Sequence, residues 1–289
     1  MPHETTVPWE KKIEYAKVSD YIEKSGSQAA RRIPQFVIRI IEKIVCQEQM
    51  NASMARHHDK LGTDFLTAMI TELNLTLAVE GIENLPEKGR CFFAANHPFG
   101  IVDGLVLTHI IAQKYGTLKA IGNDAFMYIP HLRPLIASVN VFGRNPKSYV
   151  KALGELYDSD TAITHFPAGE VSRRYQGKVQ DCAWQKSFIT KAISSKRDIV
   201  PFHFGGTNSR LFYFINGFRR FLGIKANLEL LLLPREFFKK KNSTIKVRIG
   251  KPIPWGMLDA SLAHADWAQK IRQHVYNLSD GKEQLFFTL

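Results

Sequence analysis

The sequence predicts an α/β fold: a mixed, largely parallel sheet flanked by helices, with a helical N-terminal segment. Three observations carry this reading. Short apolar runs recur at 91–95, 118–121, 138–142, 162–166, 199–204 and 228–233. Between several of them, at about 104–114, 148–157 and 186–194, apolar residues return with helical spacing. Strand and helix alternating in this way describe a sheet covered on its faces by helices. Before residue 75 the apolar pattern is helical, so the first strand-like texture comes late.

Taken in order, a first helix is expected within 9–24 and a second over 33–46. In the second, Pro34 suits the first helical turn. Ile33, Val37, Ile40, Ile41 and Ile44 form one stripe, beside Arg31, Arg32, Arg39 and Lys43. That stripe can pack on a core or lie on a membrane. A third helix is expected over 64–73. Leu75, Leu77 and Val79 then alternate with polar residues, a strand ending at Gly81. Ile245, Val247 and Ile249 repeat the alternation, and a last helix is expected over 258–278. The chain therefore divides into a helical segment, 1–74, a candidate for membrane docking, and an α/β domain, 75–289.

At 289 residues, 45% hydrophobic and 23% charged, the chain is not disordered, collagen-like or coiled-coil, and it is long enough to need no disulfides. Lys and Arg number 39 against 27 Asp and Glu, a net charge of +12. Such a charge suits anionic lipid, phosphorylated substrates or nucleic acid. No helix-turn-helix, RNA-recognition or zinc signature supports the last. Cys46, Cys91 and Cys182 lie far apart and without metal-ligand spacing, so reduced thiols and no metal are expected. The N-terminus lacks the apolar core of a secretory signal, and no stretch of about 20 residues is apolar enough to span a bilayer. The nearest, 92–112, contains Asn96, His97, Asp103 and His109.

That stretch carries the chemistry. A buried strand runs into Asn96-His97, then a Pro/Gly turn, then Asp103 at a helix start. The turn allows His97 and Asp103 to face each other. A carboxylate on one imidazole nitrogen makes the other a general base for a hydroxyl proton. The alternative is that Asp103 only caps the helix and His97 is a polar residue at a strand end. A second stretch, from His165 to Arg174, follows another apolar run and places Gly169, Glu170, Ser172, Arg173 and Arg174 in one loop. Two arginines there can hold a phosphate or carboxylate.

Together the two stretches resemble the glycerolipid acyltransferases of the PlsC type, lysophosphatidic acid acyltransferases. The family block NHxxxxD is matched by Asn96, His97 and Asp103, with one extra residue between His and Asp. The block FPEGTRS is matched by Phe166, Pro167 and Gly169, with Ala168 in place of Glu and Glu170 two positions later. Gly143 and Arg144 look like the second block, and 199–202 like the fourth. The variants NHPxGxxDG and FPAGE are similar to a divergent, hemolysin-related branch that acts on lysolipids and aminolipids. The resemblance, over about residues 75–254, implies a peripheral enzyme at the cytoplasmic face of the inner membrane. It would move an acyl chain from acyl-carrier protein or coenzyme A to a lysolipid hydroxyl, either 1-acyl-glycerol-3-phosphate or a lyso-aminolipid, without a cofactor. It implies His97 as base and Asp103 as its orienting partner, with backbone N–H groups around 98–104 stabilising the oxyanion. It further implies substrate binding by Asn96, Gly100, Gly143, Arg144, Gly169, Glu170, Ser172, Arg173 and Arg174.

Two segments are candidates for reaching the membrane: the helix near 31–46 and the stretch 210–225, where aromatic residues interleave with Arg219, Arg220 and Lys225. Trp184 and Lys186 are candidates for an acyl channel, and His109 and His203 for second positions near the site. Rival readings are a lipid hydrolase, for which no GxSxG elbow exists, and a non-catalytic, hemolysin-like membrane binder.

Overall fold

The computed structural model describes residues 17–24, 32–123, 126–127, 129–139, 147–279 and 286. Four helices come first: Val18–Lys24 (α1), Gln35–Ile44 (α2), Gln47–Arg56 (α3) and Thr63–Glu72 (α4). Then follow Thr76–Glu80 (β1), Cys91–Ala95 (β2), Ile101–Tyr115 (α5), Leu118–Asn123 (β3), Ile136–Val139 (β4), Lys147–Asp158 (α6) and Ala162–His165 (β5). A hairpin of Arg173–Tyr175 (β6) and Lys178–Gln180 (β7) precedes Ser187–Ser194 (α7), Asp198–Gly205 (β8) and Arg210–Phe221 (α8). Leu233–Phe238 (α9), Thr244–Ile249 (β9) and His264–Leu278 (α10) complete the described α-helices and strands.

The main sheet has seven strands in the order β1-β9-β8-β2-β5-β3-β4. The run from β8 to β4 is parallel. β9 runs antiparallel to β8 and parallel to β1, so one edge pair points the other way. Strand β2 shows why the sheet forms here. It is Cys-Phe-Phe-Ala-Ala, buried throughout, the pattern of a strand covered on both faces. Phe93 and Ala95 join one core with Phe65 and Met69 of α4 and Val106, Leu107 and Ile111 of α5. Phe92 and Ala94 join a second core with Phe188 and Ile189 of α7 and Ile271 and Val275 of α10. Met54, Phe65 and Met69 precede residue 75, so α3 and α4 are built into the same core as the sheet.

Four expectations change. The run 228–233 is not a strand but a 3₁₀ turn, Leu228–Leu232, leading into α9. Leucine favours helix over sheet, and Pro234 sits in the first turn of α9, where its missing N–H costs nothing. Of the strand expected at 138–142, residues 138–139 lie in Ile136–Val139, which starts two residues earlier and pairs with β3, and 140–142 lie outside the described residues. The last helix starts at His264, because Asp259 turns the chain by accepting from the N–H of Ser261. The loop expected after Gly169 contains the β6–β7 hairpin. Its turn uses Gln176 and Gly177, both at positive φ, the geometry of a tight two-residue hairpin.

A smaller cluster of Val171, Phe212, Tyr213 and Leu232 sits beside the main core, with Ile44 of α2 against it. Next to it Glu229, fully buried, takes the Nε groups of Arg173 at 3.0 Å and Arg219 at 2.5 Å, and the Nδ2 of Asn216 at 2.9 Å. Burial alone would raise the Glu229 carboxyl, but Arg219, Arg173 and Asn216 hold it below its usual value. All three cysteines are free, and burial pushes Cys91 and Cys182 up to about 12.

Replacing Glu229 by Ala strands two buried guanidinium groups. It should cost about 3–5 kcal/mol of stability, read from urea unfolding, and Glu229→Gln should cost less. In α10, burial pushes the His274 imidazole from an ordinary 6.5 down to about 4. The unfolded chain therefore binds a proton that the fold refuses, so stability should fall as pH drops through the window between those two values. A His274→Gln variant should show a flatter melting-temperature profile across that window.

Candidate active site

β2 and β5 are parallel neighbours, with Ala94 opposite His165. Both therefore release their following segments at the same edge of the sheet, where open α/β folds place ligands. Asn96 and His97 leave β2; Phe166 to Ser172 leave β5. Asn96 is 2% exposed, donates to the carbonyl of Phe204 at 3.0 Å and accepts from its N–H at 2.7 Å. The side chain thus adds one rung to the β2–β8 ladder, so it holds strands rather than facing a ligand.

His97 Nδ1 lies 3.1 Å from Asp103 Oδ1, although the N–H direction is off the hydrogen-bond line. Such pairs commonly tighten only when substrate arrives. The imidazole stacks on Phe166, centroids 4.0 Å apart and planes at 24°. Asp103 is fully buried in the first turn of α5. Its Oδ2 accepts from the N–H groups of Phe99 at 2.8 Å and Gly100 at 3.2 Å, and Oδ1 from that of Gly104 at 2.9 Å. The helix cap and the approach to His97, posed as alternatives by the sequence, belong to one carboxylate. The same bonds take up part of the backbone expected to serve an oxyanion around 98–104. Pro98 has no N–H, and those of Phe99, Gly100 and Gly104 are committed to Asp103. Gly100 has φ +88°, and a Cβ there would sit 2.9 Å from Leu233 and 3.1 Å from Val171. The turn therefore needs glycine for both backbone and space.

The backbone of His97 is gripped on both sides. Its N–H donates to Asp181 Oδ1 at 3.2 Å, and its carbonyl accepts from the N–H of Ser172 at 2.8 Å. Asp181, 1% exposed, also accepts from the Ser172 hydroxyl and from Trp184 Nε1, the latter at 2.8 Å. Its own N–H donates to the Tyr276 hydroxyl at 2.8 Å, and its carbonyl accepts from Arg272 at 2.6 Å. Burial pushes the Asp181 carboxyl up, against the pull of Ser172, Trp184 and the His97 N–H. Sequence reading missed Asp181, Arg272 and Tyr276. They meet from segments about 90 residues apart, and no spacing rule links them; an Asp buried beside a Trp in an irregular stretch was the available signal.

The other expected substrate contacts fall into four groups. Ser172 and Arg173 are 1% and 2% exposed, the first bonded to Asp181 and the second paired with Glu229, so neither is presented to an acceptor. Gly169, at φ +69°, lies at the cavity wall beside Gln185. Glu170 is half-buried and accepts from the Tyr175 hydroxyl at 3.2 Å, and Arg174 is exposed on β6. Gly143 and Arg144 lie outside the described residues. Trp184 is committed to Asp181, Lys186 is exposed, His109 lies 3.3 Å from the Thr67 hydroxyl, and His203 packs on Tyr276.

His97 opens onto a cavity of about 550 Å³, within the range of small-molecule sites. Gly104, Leu105, Phe166 and Phe188 line it, and Met50, Met54, Phe65 and Met69 of α3 and α4 form another wall. The lining is mostly apolar. His165 also borders it; burial pushes this ring down to about 4, so it stays neutral near pH 7. Among the described residues no group of three or more His, Cys, Asp or Glu is placed to hold a metal. The arrangement offers a fixed imidazole beside space for an apolar chain.

Residues 20–284 match the family model described as Acyltransferase. Lyso-glycine lipid O-acyltransferase of Bacteroides thetaiotaomicron is 42% identical over 247 residues, 85% of this chain and 91% of that protein. The protein of the same description from Phocaeicola vulgatus is 37% identical over 262 residues, 90% of this chain and 94% of that one. Among solved structures, the 1-acyl-sn-glycerophosphate acyltransferase PlsC of Thermotoga maritima is similar with a TM-score of 0.47 and 17% identity, covering 90% of this chain and 88% of that one. The match over nearly the whole chain, and relatives this close, establish that the protein is an acyltransferase and belongs to that family.

Proposed function

We propose that this acyltransferase moves a fatty acyl chain from an acyl thioester, of acyl-carrier protein or coenzyme A, to the hydroxyl of a lysolipid. The carrying observation is the His97–Asp103 pair at the edge of the sheet, opening onto an apolar cavity. The acyl chain lies in the cavity, with its thioester carbon beside His97. With Nδ1 turned to Asp103, Nε2 takes the proton of the acceptor hydroxyl as its oxygen attacks that carbon. The tetrahedral species collapses, the C–S bond breaks, and the imidazolium returns the proton to the leaving thiolate. No acyl-enzyme forms. The buried carboxylate of Asp103 balances the transient imidazolium charge, and the Phe166 stack and the Asp181–Ser172 grip keep the ring in place.

For the acceptor, a lyso-glycine lipid is favoured over 1-acyl-glycerol-3-phosphate. The two curated relatives described above act under that name. In the loop, Arg173, one of two arginines expected to hold a phosphate or carboxylate, is buried against Glu229 and is offered to neither head group. Arg174 is left as the exposed guanidinium of that loop.

The purified protein, given an acyl thioester, should acylate a lyso-glycine lipid faster than 1-acyl-glycerol-3-phosphate, as read by lipid mass spectrometry. His97→Ala should lower the rate by about a hundred- to ten-thousand-fold with an unchanged circular dichroism spectrum. Release of free fatty acid at the full rate without any acceptor would mean a hydrolase and would end the proposal. Asp103→Asn should also slow the reaction by a hundredfold or so, since it leaves the imidazole without its counter-charge. A loss of rate matched only by a loss of folded protein would reduce Asp103 to a helix cap.

A further inference from the structure

Helix α8 has two faces with different fates. Phe212, Tyr213 and Asn216 are buried, and Arg219 on the same side is tied to Glu229. On the opposite side Phe214, Phe218 and Phe221, at helical spacing of i, i+4 and i+7, are 65%, 53% and 86% exposed. Phe214 and Phe218 stack with ring planes 10° apart. The 3₁₀ turn packed beside α8 exposes Leu228 and Leu231, and α2, which packs on that same turn, exposes Phe36 and Ile40. Three touching elements thus leave large apolar side chains in water, more than a lone surface leucine would account for.

The cations around them are exposed too: Arg39 and Lys43 on α2, Arg210 and Arg220 on α8, and Lys225 beyond it. The carboxylate of the turn, Glu229, is buried and neutralised by Arg173 and Arg219. We infer that the outer faces of α2, α8 and the 3₁₀ turn form a surface that docks on an anionic lipid bilayer. Aromatic rings enter the interface while basic residues meet lipid phosphates, the two contributions that hold amphipathic helices at membranes. The inference deepens the lysolipid reading by naming the face that reaches an acceptor resident in the membrane.

The surface is joined to the catalytic turn. Ser209, which caps α8, donates its N–H and hydroxyl to Glu236 of α9, and Asn208 donates to the carbonyl of Phe99 at 3.4 Å. Leu233 and Val171, at the back of the same cluster, press on Gly100. Docking therefore sets the orientation of the His97 turn relative to the bilayer.

Flotation with phosphatidylcholine vesicles, with and without phosphatidylglycerol, tests this on the full chain. The protein should float with the anionic vesicles and lose affinity as salt rises. The triple variant Phe214→Ser, Phe218→Ser, Phe221→Ser should bind them at least about tenfold more weakly. Its turnover of a water-soluble short-chain acceptor should stay unchanged, because these side chains are exposed and outside the cavity. Arg220→Gln with Lys225→Gln should remove part of the preference for phosphatidylglycerol. Equal flotation of the triple variant and the wild type would overturn the inference. So would a wild-type dimer in sedimentation that the triple variant dissociates and that ignores vesicles, since the face would then join two copies. A protein that floats as expected but transfers no acyl chain leaves this surface standing and removes the lysolipid reading instead.

Discussion

One buried carboxylate organises the catalytic edge of the sheet. Asp103 closes the turn after β2 by accepting three backbone N–H groups, starts α5, and sits 3.1 Å from the imidazole of His97. A carboxylate removed from water needs compensation for the hydration it gives up. Here the amides of the turn and the positive end of α5 supply it. Because one carboxylate fixes the turn through Oδ2 and faces His97 through Oδ1, the backbone cannot shift without moving the pair. Three of the N–H groups that a sequence reading offers to a developing oxyanion, those of Phe99, Gly100 and Gly104, hold the acid in this turn instead.

Much of the scaffold was legible because burial on both faces leaves little choice of residue. Cys91 to Ala95 read as a covered strand and is one. The approach of His97 and Asp103 followed from a Pro/Gly turn too short to separate them. Arg173 was not legible. A charged residue in a loop that contains glycine reads as solvated, and its partner Glu229 lies 56 residues away in a leucine run that itself looked like a strand. Asn96 misled for a related reason. Its amide copies a peptide group, so a residue that reads as a ligand contact can serve as a strand rung. Asp181 belongs to a grip assembled from three distant segments, and periodicity carries no trace of such a meeting.

Helices from both faces of the sheet reach the site. The core behind β2, against α7 and α10, contains Phe188, Ile189, Ile271 and Val275, and Phe188 also borders the cavity. From the other face, α3, α4 and α5 stand around the same cavity that His97 borders. The helices that the sequence separates as an N-terminal segment therefore contribute walls to the site, while α2 leads away to the outer surface next to α8. The division near residue 75 marks a change of local pattern more than a change of packing unit.

Met50, Met54 and Met69 stand together along the cavity. Thioether side chains are unbranched and polarisable, so such a wall adjusts to hydrocarbon of differing shape at small cost. The same chemistry makes it vulnerable. Peroxide converts a thioether to a polar, chiral sulfoxide, which in an apolar lining would repel the hydrocarbon it previously accommodated. If the cavity takes the acyl chain as proposed, oxidation of these thioethers would roughen the wall against it while leaving the imidazole intact.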